Sequence, residues 1–375
     1  MIYNGSSYNE NWEISKLAEL GTFARGVSKH RPRNDPRLFE NGKYPLVQTG
    51  DVKEATLYLS KHEQEYGDFG LKQSKLWNTG TLCITIAANI AETAILAYPM
   101  CFPDSIVGFS AYPEKSSEEF MYYIFEYIKK SIQNAATGSI QDNINLEYLM
   151  SLDFKIPEKK YQDMIVLILS SIDRKILINN AINDNLSAMA YDIYMHNFFS
   201  KKPNAKLKDI LTEAEKSAIQ VGEAKTSNGE YPFFTSGATI LKWNEPFVDG
   251  RNCFLNTGGN ADVKFYVGKA AYSTDTWSIS AKSEMSDYLY LMLFSIKPEL
   301  DQKFFQGTGL KHLQKPLLKD RPIYVPEKLE LEAFNRQVMP MFDIISENTR
   351  ENQQLTSLRD WLLPMLMNGQ ATISD

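Results

Sequence analysis

Four histidines are the side chains of this 375-residue sequence best suited to acid–base or metal chemistry, but no two lie at a metal-binding or catalytic-triad spacing. They are His30, His62, His196 and His312. Pro103-Asp104 begins like a nuclease motif, yet no Glu-x-Lys follows, because Glu114 and Lys115 are adjacent. The sequence also lacks an Asn/Asp-Pro-Pro-aromatic loop for amino methylation and a Gly-x-x-x-x-Gly-Lys-Ser/Thr loop for ATP. These absences predict a non-enzymatic binding and scaffolding protein without cofactor or metal.

The residues that could bind a polyanion are concentrated between Arg25 and Arg37. The segment carries five basic side chains and only Asp35 to oppose them, namely Arg25, Lys29, Arg31, Arg33 and Arg37. Gly26 and two prolines predict a loop. The whole chain has 40 basic and 46 acidic residues and a formal charge of −6, so a local basic excess is unusual. We interpret the segment as a phosphate-binding loop for nucleic acid, and the alternative is a solvated surface loop.

One long helix is predicted over residues 158–199. It must position the segments that carry the candidate binding residues. Pro157 and Pro203 flank it, and its seam residues recur in steps of four and three, as in a heptad repeat. These seam residues are Ile165, Leu169, Ile172, Ile176, Asn179, Asn183, Leu186, Ala190 and Ile193. Polar residues between them, including Asp173, predict a solvated face. The helix therefore needs a partner for its seam.

That partner lies 169 residues further along the chain, where eight of the nine seam positions recur as suitable residues. Arg359 is the exception. Twofold pairing of the repeated helices predicts an antiparallel arrangement, with Asn179 opposite Asn352 and Asn183 opposite Asn348. A buried asparagine in such a seam fixes register at a cost in stability. The alternative places the asparagines in solvent and fills the seam with Ile182 and Met189.

The segments that precede the two helices repeat as well. Tyr44-Pro45 corresponds to Tyr231-Pro232 at an offset of 187 residues, and Thr137-Gly138 to Thr308-Gly309 at 171. Residues 43–113 are predicted to form strands and turns, 118–132 an amphipathic helix, and 137–145 a polar turn. Thr257-Gly258-Gly259-Asn260 is predicted to be a hairpin turn. The fold class is α+β: two mixed α/β domains joined by two long antiparallel helices in a pseudo-twofold internal repeat. The expected domains are residues 1–157, 158–200, 201–326 and 327–375.

The three cysteines, Cys83, Cys101 and Cys253, are too far apart for a metal site and odd in number. We expect reduced core thiols and a cytosolic protein. The polar start of the chain does not resemble a signal peptide, and no apolar run approaches the roughly 18 residues of a membrane span, so no membrane partner is expected.

Taken in order, these motifs resemble the specificity subunit of type I restriction-modification systems. The resemblance lies in a duplicated Thr-Gly turn, a duplicated Pro-Glu-Lys and a following heptad helix of the Ile172-Asp173-Arg174-Lys175-Ile176 type. The stretch from Gly42 to Asp51 and the terminal Trp361-Leu362-Leu363-Pro364 with Asn368-Gly369-Gln370 also resemble that family. The likeness covers essentially the whole chain.

The resemblance implies that each of two target-recognition domains binds one half of a split double-stranded DNA site, while the helices set the gap. It also implies two modification subunits that methylate adenine and, in some assemblies, restriction or translocase subunits. A second hypothesis is an adaptor for protein or glycan, with two modules on a coiled-coil spacer. The glutamine and asparagine at 141 and 143 could read adenine or simply form a turn. The predicted DNA-binding residues are Arg25, Lys29, His30, Arg31, Arg33, Arg37, Gln48, Thr49, Gln141, Asn143, Lys225, Thr235, Ser236, Lys311 and His312.

Overall fold

The computed structural model of the protein describes residues 2–138, 146–307 and 309–373. The chain divides into two compact units. Unit 1 comprises Met1–Ile176 and Leu355–Asp375, and unit 2 comprises Leu177–Gln354. Each unit is an α+β structure, as the sequence predicted. Each also includes part of both long helices.

Unit 1 contains eleven strands among its described residues. They are β1 Glu13–Lys16, β2 Gly21–Arg25, β3 Tyr44–Leu46, β4 Tyr58–Leu59, β5 Gln64–Tyr66, β6 Leu76–Trp77, β7 Leu82–Thr85, β8 Thr93–Leu96, β9 Met100–Cys101, β10 Ile106–Ala111 and β11 Asp153–Ile156. The helices that begin in this unit are α1 Thr49–Glu54, α2 Asp68–Lys72, α3 Glu118–Gly138, α4 Leu146–Met150 and α5 Lys159–Phe198, with 3-10 turns at Leu17–Glu19 and Pro36–Leu38.

Unit 2 follows the same plan with fewer residues. Its described strands are β12 Ala205–Lys206, β13 Leu211–Glu213, β14 Tyr231–Phe234, β15 Leu241–Trp243, β16 Arg251–Asn256, β17 Val263–Val267, β18 Ala271–Tyr272, β19 Thr276–Ala281, β20 Phe305–Gln306, β21 His312–Leu313 and β22 Pro322–Ile323. Its helices are α6 Leu207–Ile210, α7 Val221–Ala224, α8 Ser286–Ser295, α9 Lys297–Glu299, a π-helix at Leu300–Phe304, α10 Lys315–Lys319 and α11 Lys328–Met367.

The sheet topology confirms the internal repeat. Unit 1 has a sheet of order β2-β10-β7-β8-β4, and unit 2 has the equivalent order β13-β19-β16-β17. A second sheet in each unit contains a parallel pair, β3 with β9 and β14 with β18. A two-stranded ribbon precedes each long helix, β1 with β11 and β12 with β22. The duplicated sequence thus forms one scaffold twice.

A helix covers the main sheet of each unit and closes its core. The amphipathic face predicted around Phe120 and Ile124 of α3 is buried against β7, β8 and β10. In unit 2, α8 lies on β16, β17 and β19, with Leu289 and Leu293 fully buried. Burying such aliphatic and aromatic side chains stabilises the fold by about 1.5–3 kcal/mol each.

The two long helices pair antiparallel through asparagines, as predicted. In unit 2 the amide of Asn179 donates to the amide oxygen of Asn352 at 2.9 Å, and that of Asn348 donates to Asn183 at 2.8 Å. The residue numbers rise along one helix as they fall along the other, which defines an antiparallel pair. Asn179 is completely buried.

Two predictions about the first long helix are wrong, namely the alternative seam residues and the exposure of Asp173. Ile182 and Met189 are 39% and 52% exposed, so they do not fill the seam. Asp173, predicted to lie in solvent, is instead buried in unit 1, where it accepts a hydrogen bond from Tyr123. Helical periodicity alone missed this because the charge that pairs with Asp173 lies on a distant segment.

Local capping overrides strand propensity after β3. Residues 43–113 are predicted to form strands and turns, but Thr49–Glu54 within that range is helical. The carboxylate of Asp51 accepts the backbone N–H of Gln48 at 2.7 Å, which satisfies a donor at the helix start. The helix predicted at 118–132 extends to Gly138, so Thr137-Gly138 is helical rather than part of a polar turn.

The three cysteines are free and buried, as expected. Burial raises the pKa of the Cys83 and Cys253 thiols, which keeps them protonated. No helix in the described ranges is long and apolar enough to cross a membrane.

Candidate nucleic-acid interface

The basic loop, residues 25–37, is held against unit 1 by backbone hydrogen bonds. The N–H of Gly26 donates to Ile106 at 2.8 Å, and the N–H of Lys29 donates to Gln73 at 2.9 Å. Gly26 is required by space, because a Cβ there would lie 2.2 Å from the carbonyl oxygen of Pro103. The loop therefore presents its side chains from a fixed backbone. Arg25 and Lys29 are exposed.

Two carboxylates oppose the loop, not one. Arg33 lies 2.6 Å from Asp104, and Arg31 lies 3.8 Å from the same carboxylate. The expectation that only Asp35 opposes these side chains is therefore wrong, because β9 and β10 bring Asp104 beside the loop. These arginines are about half exposed. Exposed ion pairs contribute only about 0–1 kcal/mol, so a phosphate can replace Asp104 as their partner.

Asp35 organises the other end of the basic loop. Its carboxylate lies 2.7 Å from the Arg37 guanidinium and 2.8 Å from Nε2 of His30. The hydrogen bonds from Arg37, and then from His30, hold the pKa of Asp35 well below its usual range. His30 also contacts the ring of Phe69 edge-on. His30 and Arg37 thus shape the loop, and Arg37 also contributes to its positive charge.

A second group of predicted residues in unit 1 lies at the start of α1. Gln48 is exposed, and its amide donates to the side-chain oxygen of Gln64 at 3.3 Å. Thr49 is half-buried, and its carbonyl oxygen lies 3.5 Å from the amide nitrogen of Asn89. Asn89 belongs to the loop between β7 and β8, residues 86–92, which we call the first hairpin loop. The predicted contacts at 141 and 143 lie outside the described residues.

The equivalent turn in unit 2 contains Thr235 and Ser236. Thr235 is buried, and its hydroxyl accepts the N–H of Gly237 at 3.1 Å, so this side chain holds the turn from inside. The Ser236 hydroxyl donates to the carbonyl of Asp275 at 3.0 Å. The ammonium of Lys264 donates to the carbonyls of Thr235 and Gly237 at 2.7 and 2.6 Å. A cation thus lies directly beneath the turn.

Lys311 and His312 join the same surface through the loop between β16 and β17, residues 257–262, which we call the second hairpin loop. Gly259 donates its N–H to the carbonyl of Lys311 at 3.0 Å, and Gly258 forms a bridge with His312. The N–H of Thr257 donates to the same Asp275 carbonyl that Ser236 contacts. Ser236, Lys311 and His312 are therefore neighbours of one loop.

Lys225 does not share in that network. It is exposed at the end of α7, and no ion pair or hydrogen bond in the described part of the chain links its side chain to the second hairpin loop. Its predicted DNA contact rests on charge alone.

Sequence reasoning missed the two hairpin loops as equivalent elements. Thr257–Asn260 was correctly predicted to be a hairpin turn, since β16 and β17 form an antiparallel pair. The corresponding first hairpin loop was not singled out. A signal was present, because Asn89 and Asn260 are 171 residues apart, the offset that relates Thr137-Gly138 to Thr308-Gly309. One shared asparagine is a weak signal without the sheet register.

Comparison with known proteins decides between a DNA reader and an adaptor. The sequence model of the type I restriction modification DNA specificity domain matches residues 9–188 and again 201–356. The chain belongs to the type I restriction-modification DNA specificity family. It is accordingly a specificity subunit, which recognises the DNA target and is not itself catalytic. The adaptor hypothesis is thereby set aside.

Individual relatives agree with this assignment. The type I restriction enzyme MjaIX specificity subunit of Methanocaldococcus jannaschii is 20% identical over 416 aligned positions, covering 98% of this chain and 95% of the relative. The HindI specificity subunit of Haemophilus influenzae is 33% identical over 96 residues, which are 25% of this chain and 21% of that protein. The crystal structure of a type I S subunit from M. genitalium has a TM-score of 0.64 at 15% identity, with both chains fully covered, and so shares the fold.

Proposed function

We propose that this specificity subunit reads a bipartite double-stranded DNA site, with residues 1–157 binding one half and residues 201–326 the other. The observation that carries the proposal is one sheet scaffold, formed twice, with different side chains at equivalent places. Gln48 and Thr49 begin a helix in unit 1, whereas Thr235 and Ser236 form a turn above Lys264 in unit 2. Equivalent scaffolds with different surfaces suit two different half-sites.

The basic loop and the hairpin loops have separate tasks in this proposal. Arg31 and Arg33 hold the phosphate backbone, which fixes position but carries no base information. Gln48, Lys311 and His312 lie beside the hairpin loops and supply contacts to base edges. The same division of tasks assigns Arg25, Lys29 and Arg37 to phosphate.

The long helices, residues 158–200 and 327–375, act as the spacer between the two readers and as the platform for partner subunits. The duplicated scaffold offers two equivalent surfaces, which suits two modification subunits and, in a cleaving complex, restriction or translocase subunits. The methyl donor belongs to the modification subunits, so this chain requires no cofactor of its own. The complex would act in the cytoplasm, where free buried thiols such as Cys83 persist.

Module replacement tests the proposal. Residues 205–322 are exchanged for the corresponding part of a relative, and the methylated motif is read by sequencing the genome of cells that express the complete system. We expect one half-site to change and the other to remain. The reciprocal exchange of residues 13–156 is the matched control and should change only the other half. A change in both halves after either exchange would contradict independent reading.

A further inference from the structure

The two hairpin loops share one internal hydrogen-bond plan. Each begins directly after a polar residue that ends a strand and is almost fully buried, Thr85 in the first loop and Asn256 in the second. These two residues are 171 positions apart in the sequence. A polar side chain buried at a strand end must find hydrogen-bond partners, and in both units it finds them inside the loop.

In the first hairpin loop, the Thr85 hydroxyl accepts the N–H of Glu92 at 2.9 Å and donates to the carbonyl of Asn89. In the second, the amide oxygen of Asn256 accepts the N–H of Asp262 at 2.7 Å, and its nitrogen donates to the carbonyl of Asn260. Different side chains therefore make corresponding attachments, to the N–H of the last loop residue and to the carbonyl of an asparagine. Asn256 also donates to the carbonyl of Gly258 at 2.9 Å. Both side chains fix the backbone of an asparagine four residues further on.

Asn89 and Asn260 consequently occupy equivalent places. The carbonyl of each is turned inward, and the side chain remains at the surface, half-exposed for Asn89 and exposed for Asn260. The preceding residue, Ala88, has a left-handed backbone with φ of 62°, and the equivalent Gly259 has φ of 80°. A left-handed alanine costs of order 1 kcal/mol, and the hydrogen bonds of Thr85 maintain it. Such a backbone fixes the point from which each asparagine side chain leaves its loop.

Both asparagines lie beside residues that the sequence predicted to bind DNA. Asn89 lies against the carbonyl of Thr49, next to Gln48. The second hairpin loop is bonded to Lys311 and bridges to His312.

We propose that Asn89 and Asn260 are the equivalent base-contacting residues, one for each half-site. This inference rests on the proposed bipartite function. An asparagine amide matches the adenine edge, since it donates to N7 and accepts from the 6-amino group. Thr85 and Asn256 are positioning residues that hold the two loops. Each half-site is therefore expected to contain an adenine whose recognition depends on its own asparagine.

The test uses the complete modification complex with Asn89→Ala or Asn260→Ala, and reads both the methylated motif and the methylation rate on duplexes with single base-pair changes. Asn89→Ala should reduce discrimination at one base pair of one half-site by about 10–100-fold. Asn260→Ala should do the same in the other half-site. The matched controls are Asn78→Ala and Asn228→Ala, two exposed asparagines elsewhere in units 1 and 2, which should leave the motif unchanged.

An unchanged motif in both variants would overturn the assignment of Asn89 and Asn260 as base-contacting residues. An equal loss of methylation rate on every duplex would overturn it as well. If alanine lowers the melting temperature, Asn89→Asp and Asn260→Asp decide, because they keep the side-chain size but lose the N–H donor, and they must affect the same base pairs. The proposed function fails separately, namely if the unaltered complex yields no two-part motif or if module replacement changes both halves.

Discussion

The guanidinium of Arg359 lies 2.9 Å from the carboxylate of Asp173, whose side chain is only 4% exposed. Tyr123 donates its hydroxyl to the other oxygen of that carboxylate at 2.7 Å. Burial alone would lower the pKa of Arg359, but Asp173 and then Asp360 more than offset it, so the pKa is raised. This pair explains why Arg359 departs from the helix repeat, where its counterpart is the buried Ala190. In unit 1 this buried ion pair joins the two helices in addition to the apolar cluster that contains Ile165, Leu169 and Leu366.

We predict that Arg359→Leu destabilises unit 1 by about 3 kcal/mol, because it leaves the buried Asp173 carboxylate without a cation. The double variant Asp173→Asn/Arg359→Leu should recover most of that loss, since the asparagine is neutral and still accepts from Tyr123. Thermal and chemical unfolding of the four members of this cycle give the coupling energy. Simple additivity of the two single changes would show that the pair contributes nothing specific.

The asparagines in the seam are predicted to lower the stability of the helix pair and to fix the register of the two long helices. Replacing Asn179, Asn183, Asn348 and Asn352 together by leucine should raise the melting temperature, because Asn179 has a buried amide oxygen that lacks a partner among the described residues. The same variant should methylate sites whose half-sites are separated by an altered gap. A slip of one heptad corresponds to about 10 Å along the helix, or about 3 base pairs.

The control for the seam is leucine at Ile178 and Ile182, exposed positions of the same helix, which should alter neither melting nor gap. A four-leucine variant that melts lower than the original protein, or one that keeps a single strict gap, would contradict the register role.

Neutralising Arg31 and Arg33 by Arg→Gln substitution should weaken the binding of all duplexes and reduce the slope of log affinity against log salt by about 2, one for each phosphate contact. Asp104→Asn should have the opposite effect on affinity, because it removes the carboxylate that competes with phosphate for both arginines. Titration of labelled duplex at several salt concentrations measures both quantities. Lys328→Gln with Arg336→Gln, which removes the same charge from exposed sites on α11, is the control. An unchanged slope would remove Arg31 and Arg33 from the interface.

Asp262, at the end of the second hairpin loop, gives a prediction for pH. Burial would raise the pKa of its carboxyl, but Lys297 at 2.8 Å, and then Lys264, lower it below the ordinary 3.8. A lowered pKa means that the charged carboxylate stabilises the fold above pH 3.8 and that this stability is lost as pH falls through the folded-state pKa.

Asp262→Asn should therefore lower the free energy of unfolding at pH 7, by about 1 kcal/mol or less for this partly exposed pair. The difference between the two proteins should shrink in acid, below about pH 4. In a Lys297→Met background the same substitution should cost less. A difference that is constant from pH 7 to pH 3 would show that the charge of Asp262 is not the cause.

Much of the scaffold was determined by the sequence itself. The flanking prolines and the heptad spacing predicted the first long helix to within one residue at each end, since residues 158–199 were expected and Lys159–Phe198 is observed. The start of the second helix was predicted equally well, but that helix ends at Met367 rather than at residue 375. The offset of 169 residues predicted their antiparallel pairing through Asn179 and Asn352. These features depend on local periodicity and on duplication, which are properties of the sequence alone. The basic loop was likewise recognised from the excess of lysine and arginine in residues 25–37.

The tertiary structure determines which polar side chains face solvent and which form ion pairs or hydrogen bonds within the protein. Asp173 follows the spacing of a solvated face, yet Arg359 and Tyr123 approach it from other segments and bury it. Asp104 is brought to the basic loop in the same way. Long-range pairing fixes such contacts, and no local pattern encodes them. The equivalence of Asn89 and Asn260 became evident for the same reason, because only the register of the two sheets places each one four residues beyond a buried strand end.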